Sequence, residues 1–177
     1  IEKMNLSEDA NGIMEIALLT NSHSPKINIT ENEFLSFRSD WLIKNSDLNL
    51  IEEYLIKNQN INLHTELTKY LLNQYFAEAN VDQACKVLSK NIKPIEDDYL
   101  SKMNIYCLIR SNKKDEAQLI LDLKKELGFK DEYFEKKISY LLGYSSETEN
   151  LISENSILDF HLAHQTIQDF SFCLLYT

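Results

Sequence analysis

His161 and His164 stand three residues apart in a helical stretch, with Asp159 and Asp169 close by. Two imidazoles at i, i+3 can approach one metal ion. A catalytic zinc site takes a third protein ligand at defined spacing, and no second His, Cys or Glu motif supplies one. His23 falls in a loop and His64 at a helix start, so both read as local polar residues. Cys85, Cys107 and Cys173 are odd in number and have no metal-ligand spacing. Each lies in an apolar stretch, where a free thiol packs as a small hydrophobe, so they read as structural cysteines. The acidic pairs Glu52/Glu53 and Asp97/Asp98 are adjacent in sequence. On a helix, neighbours point about 100° apart, which makes them poor acid–base dyads. The chain has no G-x-S-x-G, no H-E-x-x-H and only 3 Gly in all, too few for a phosphate-cradling loop fold. The expectation is a protein that is not an enzyme, with no cofactor and no metal.

Charge narrows the partners. The formal net charge is −10 over 177 residues, and no dense Lys/Arg block offsets it. A nucleic-acid binder carries a basic footprint, so none is expected here. Hydrophobic residues make up 44% and charged residues 26%, the balance of a folded domain. No stretch approaches the roughly 20 apolar residues of a membrane span, so no integral membrane segment is expected. The chain begins at Ile1 and closes on an apolar run carrying Phe170, Phe172, Leu174 and Leu175. The expectation is a fragment of a longer protein, its compartment and oligomeric state left open.

The elements that must position any site read as helices throughout. Residues 1–29 form the least regular part, with a short helix or strap at Ile13 to Leu19. Thr30 with Glu33 has the form of a capping box and opens a helix carrying Phe34, Phe37, Trp41 and Leu42 on one face. Further starts are expected at Ser46/Asp47, Asn62, Asn80 with Gln83, Pro94, Asn112, Asp131, Ser146 with Glu149, and Ser156 with Asp159. Gly128 stands where a helix C-cap belongs. Short polar joints between amphipathic helices imply stacked antiparallel pairs. The division is an irregular segment over 1–29, a helical domain over 30–155 and a C-terminal helix over 156–177 that continues beyond the chain.

The chain also matches itself when slid by one fixed interval. Ala84 falls on Ala117, Leu88 on Leu121, Leu67 on Leu100 and Lys69 on Lys102, with Ile51 one unit earlier in the alanine column. The match decays at Asn150, and the phase slips near residue 156. The interval, about 33 residues, is that of small helical repeats, whose units cannot bury their apolar faces alone and must stack.

A helix pair at this period resembles the tetratricopeptide repeat, carried best by Leu71, Tyr75, Ala84 and Leu88 and again by Leu108, Ala117 and Leu121. The small residue the family keeps in its first helix is replaced by Leu72, Ile105 and Ile138, and its early aromatic by Thr68 and Ser101. The resemblance covers roughly residues 31–165. The pattern is also similar to helical-repeat proteins of alphaproteobacteria, which implies no activity. What the resemblance implies is an all-α, right-handed solenoid of antiparallel helix pairs whose concave face, lined by the first helices, grips a protein or peptide. One variety of the family clamps a peptide carboxylate with Lys and Asn one turn apart. Lys69 and Asn73 match that pair, Lys136 stands at a basic clamp position, and Lys102 repeats Lys69. Met103 and Glu132 occupy two other clamp positions, where an acid would repel a carboxylate. Tyr106 shares the Asn73 column and is the expected groove aromatic among the tyrosines of the first helices. The competing reading of the lysines is solvated helix surface. The competing reading of the whole is a structural segment of a larger envelope-associated protein, packed on its own remainder.

Overall fold

The computed structural model describes residues 6–20, 25 and 27–167. Among them every regular element is helical: α1 (Glu8–Leu19), α2 (Glu31–Asn45), α3 (Leu48–Asn58), α4 (Thr65–Ala77), α5 (Val81–Ser89), α6 (Asp98–Arg110), α7 (Lys114–Glu126), α8 (Glu132–Leu142) and α9 (Ile157–Thr166), with a 3-10 turn at Ile61–Leu63. Among the described residues the fold is all-α, as the periodicity predicts.

Side-chain caps set most of the starts. Thr30 and Glu33 form the reciprocal box: the Thr30 hydroxyl accepts the Glu33 amide at 3.3 Å, and the Glu33 carboxylate accepts the Thr30 amide at 2.8 Å. Asp47, Asp97, Asp131 and Ser156 each accept the amide N–H three residues on, at 3.0, 3.0, 3.0 and 3.1 Å. Each bond satisfies a donor that the helix itself leaves orphaned. Gly128 and Gly143 end α7 and α8 with φ of 97° and 93°, left-handed values that a Cβ disfavours.

Other expected starts differ. Asn62 caps nothing, because its amide is committed elsewhere: it donates to the Pro94 carbonyl at 2.9 Å and accepts the Glu96 amide at 3.0 Å. It thereby ties the turn before α4 to the joint before α6. Pro94 lies in that joint, and α6 begins four residues later behind Asp97. Asn80 makes no side-chain cap, and Asn112 takes a left-handed φ of 58° in the turn before α7. The expected stub at Ser146 does not form. Glu149, the residue that would close its capping box, is taken instead by Lys136 at 2.7 Å. The N-terminal segment contains a twelve-residue helix, α1, that packs on α2. The last helix ends at Thr166, and Phe170, Phe172, Leu174 and Leu175 lie outside the described residues.

Helices pack against near neighbours in sequence: α2 and α3 on α4, α3 and α4 on α5, α5 on α6, and α6 on both α7 and α8. The self-matching columns supply the core of these contacts. Ile51, Ala84 and Ala117 are fully buried, as are Leu67 and Leu100. Alanine in two of the three positions lets the backbones approach closely. One expectation about this core is corrected. Cys85 on α5 and Cys107 on α6 are joined in a disulfide, their Cα atoms 5.2 Å apart. The apolar stretches that suggest two free thiols are the facing sides of neighbouring helices, which brings the sulfurs together.

Candidate functional site

The expected groove residues all come from α4, α6 and α8, so the topology does gather them. Their chemistry is already committed. The Lys69 ammonium lies 2.8 Å from Asp97 and 3.2 Å from Glu66. Lys102 lies 2.8 Å from Asp131, with its ammonium 5.8 Å from the Tyr99 ring and 5.6 Å from the Phe134 ring. Asp97 and Asp131 are the N-caps of the next first helices, α6 and α8. Each lysine thus reaches across to the helix start one unit on. Partial burial alone would raise both carboxyl pKa values; the facing lysine and the capped amide outweigh it and hold them below the ordinary carboxylate value. The recurring lysine ties α4 to the start of α6 and α6 to the start of α8.

Asn73 accepts a hydrogen bond from the Tyr99 hydroxyl at 2.7 Å. Burial, with the charge of Asp159 adding to it, pushes the Tyr99 pKa up to about 12, so it stays a neutral donor. Lys136 is held by Glu132 at 2.9 Å and Glu149 at 2.7 Å. Tyr106 does not face a groove. It is fully buried, its ring 5.8 Å from that of Phe76. The Asn73 column turns inward at α6 because α9 lies over it.

The sequence discloses that covering helix but not where it packs. α9 returns across the face and packs against both α4 and α8. Its Leu158, Leu162 and Ala163 are fully buried. A ring nitrogen of His161 sits 2.8 Å from the Phe76 carbonyl, and its ring meets the Phe76 ring edge-on at 5.1 Å. Burial lowers the His161 pKa, opposed by the Phe76 carbonyl, so the imidazole is a neutral donor to that carbonyl. His161 thus spends a ring nitrogen on α4, and among the described residues no three His, Cys, Asp or Glu side chains gather to hold a metal. The segment leading to α9 is also tied down. Lys137, almost wholly buried, donates to the Glu149 carbonyl at 2.7 Å, and the Tyr133 hydroxyl donates to the Asp159 carbonyl at 3.1 Å. Lys137 escapes sequence reasoning because a lysine beside an exposed lysine carries no signal of burial.

A second polar cluster lies at the other end of the fold. Arg38 donates to the Tyr54 hydroxyl at 2.6 Å, which is 3.3 Å from His64 Nε2, and all three are buried. The guanidinium also stacks 4.8 Å over the Phe34 ring. Burial first, and the Arg38 charge second, lower the His64 pKa to about 4. Nearby, Tyr75 and Gln83 both donate to the Glu52 carboxylate. These groups bridge α2, α3, α4 and α5, and the bonds they make are to one another.

Comparison with protein families, with curated proteins and with solved structures finds no match to this chain. No helix among the described residues is long and apolar enough to cross a membrane.

Proposed function

We propose that this chain is a non-enzymatic helical-repeat scaffold, a tetratricopeptide-like solenoid whose first-helix face receives a helix. The observation that carries the reading is α9 itself. It is a helix seated on α4 and α8 with Leu158, Leu162 and Ala163 fully buried and Asp159 and Thr166 buried beside them, the mode in which grooves recognise helical partners. The repeat, with its period of about 33 residues, is supported by the buried Ile51, Ala84 and Ala117 column. The non-enzymatic reading is supported by the hydrogen bonds of the polar clusters, which run between helices, although Arg38 Nε and Nη2 are buried without a hydrogen-bond partner among the described residues. The ligand class therefore shifts from a peptide carboxylate to an apolar helical stripe, because Lys69, Lys102 and Lys136 already have acidic partners.

The same observation favours a second reading, that the face is internal packing and the chain a structural segment. Leu162→Asp in the full chain separates the two. As a receptor, the variant loses no more helix by circular dichroism than α9 contains, and it binds a labelled peptide of residues 153–167 that the wild type excludes. As internal packing, the variant unfolds as a whole, or the peptide binds neither protein.

A further inference from the structure

We infer that the chain carries a second docking surface, away from α9, for an acidic amphipathic helix of a partner protein. α5 ends at Ser89, whereas α7, its counterpart one unit on, runs to Glu126. Pro94 explains the early stop: its ring would clash with the carbonyl four residues back, and it biases Lys93 away from helix. The last turn of α7 therefore overhangs the end of α5. Between them lies an open groove of about 630 Å³. Leu88, Leu108 and Ile120 line it, and Ile92, Leu123 and Leu127 form its lips with 76%, 50% and 84% of their surface exposed. α7 (13 residues) outruns α5 (9 residues) by 4 residues, so this is the shape left by about one missing helical turn, roughly 6 Å, and a turn of a partner helix supplies it.

Charge selects the partner. In a chain of net charge −10, the groove is lined by Lys93, Lys113 and Lys124 against one acid, Glu116, and among the described residues the exposed Lys93 has no acidic partner. Lys124 on the opposite wall is anchored to Asp98 at 3.0 Å, and the lining acid Glu116 is covered by Lys113 at 3.2 Å. The groove thus presents an apolar floor with a basic lip. A helix with a leucine stripe and glutamate flanks satisfies both. An anionic bilayer fits less well, since it would face the whole charge of −10 and cannot enter a concavity.

The probe is a synthetic helix of about four turns with Leu at i, i+3, i+4 and i+7 and Glu elsewhere, paired with a Lys-for-Glu counterpart and with phosphatidylserine vesicles. Titrated into the full chain and followed by fluorescence anisotropy, the acidic helix is expected to bind at least tenfold tighter than the basic one. That binding should weaken with salt, and amide shifts should fall on Leu108, Ile120 and Leu123. Leu127→Glu should abolish it, and Lys93→Glu should remove the preference. Both variants change exposed positions, so circular dichroism should match the wild type. Equal binding of the two peptides, binding of neither, or vesicle binding that is lost with Leu127→Glu each overturns the proposal. Leu162→Asp should leave this binding intact, which keeps the test separate from that of the α9 face.

Discussion

The Cys85–Cys107 bond makes the sharpest quantitative prediction, because it staples α5 to α6 across 22 residues of sequence. Closing a loop of that length removes about 11 cal/mol/K of entropy from the unfolded chain, or about 3.4 kcal/mol at 25 °C. For a chain of this size, that corresponds to a thermal midpoint lower by roughly 10 °C once the bond is broken. Measured by chemical and thermal denaturation, wild type with reductant and Cys85→Ala/Cys107→Ala without it should fall by comparable amounts. Reductant should do nothing further to the double variant. A thiol count in denaturant fixes the covalent state independently. Of the three cysteines, one should titrate without reductant and three with it. Finding three free thiols in the untreated protein, with a midpoint indifferent to reductant, refutes the bond and the packing argument behind it. Because structural disulfides persist where the surroundings are oxidising, the same assay on protein trapped with an alkylating agent in its native cells should also show one free thiol.

Acid should destabilise the fold through His64. Its folded pKa of about 4 lies below the unfolded value near 6.5, so the unfolded state takes the proton first. The stability that neutral His64 contributes is complete above pH 6.5 and lost as pH falls toward 4, a loss of about 3 kcal/mol. Denaturant titrations at neutral pH and near the folded pKa should show the loss in wild type and a smaller one in His64→Gln. Lys137→Met should be neutral or stabilising by calorimetry, since it removes a buried ammonium whose pKa is depressed by burial and whose hydrogen-bond acceptor is a backbone carbonyl. A drop of more than about 1.5 kcal/mol would show that the hydrogen bond to Glu149 holds the segment leading to α9 in place.

The sequence disclosed what depends on local chemistry and repetition. Thr30 with Glu33, Asp47, Asp131 and Ser156 are legible as caps because each serves an amide only three residues away. Ile51, Ala84 and Ala117 are legible as core because small or apolar residues recur at one spacing. Asn62 misleads because its partners, Pro94 and Glu96, are distant in sequence and lie in the joint before α6. Tyr106 misleads for a related reason. Its column faces outward only if nothing returns to cover it, and α9 returns to pack on α4 and α8. The disulfide is hidden because an apolar stretch around a cysteine looks the same whether its neighbour across the core is a leucine or another cysteine.

The lysine column shows how a recurring spacing in the sequence can imitate a binding site. Lys69 and Lys102 recur one unit apart, and the aspartates they meet, Asp97 and Asp131, recur at nearly the same interval. A ligand clamp requires cations whose counter-charge is absent from the chain. Here the counter-charge is one unit along, at a helix N-terminus where a carboxylate is already favoured by the helix dipole and the capped amide. Removing Lys69 therefore acts on the junction between α4 and α6 rather than on a ligand. Lys69→Met should cost about 1 kcal/mol of stability, given that both partners are largely shielded from water. Asp97→Asn should cost at least as much, because the aspartate supports both the lysine and the Leu100 amide. The double variant should lose less than the sum of the two single losses. Strict additivity in that cycle would mean that the two charges do not sense each other, and the lysine would again be available to a partner.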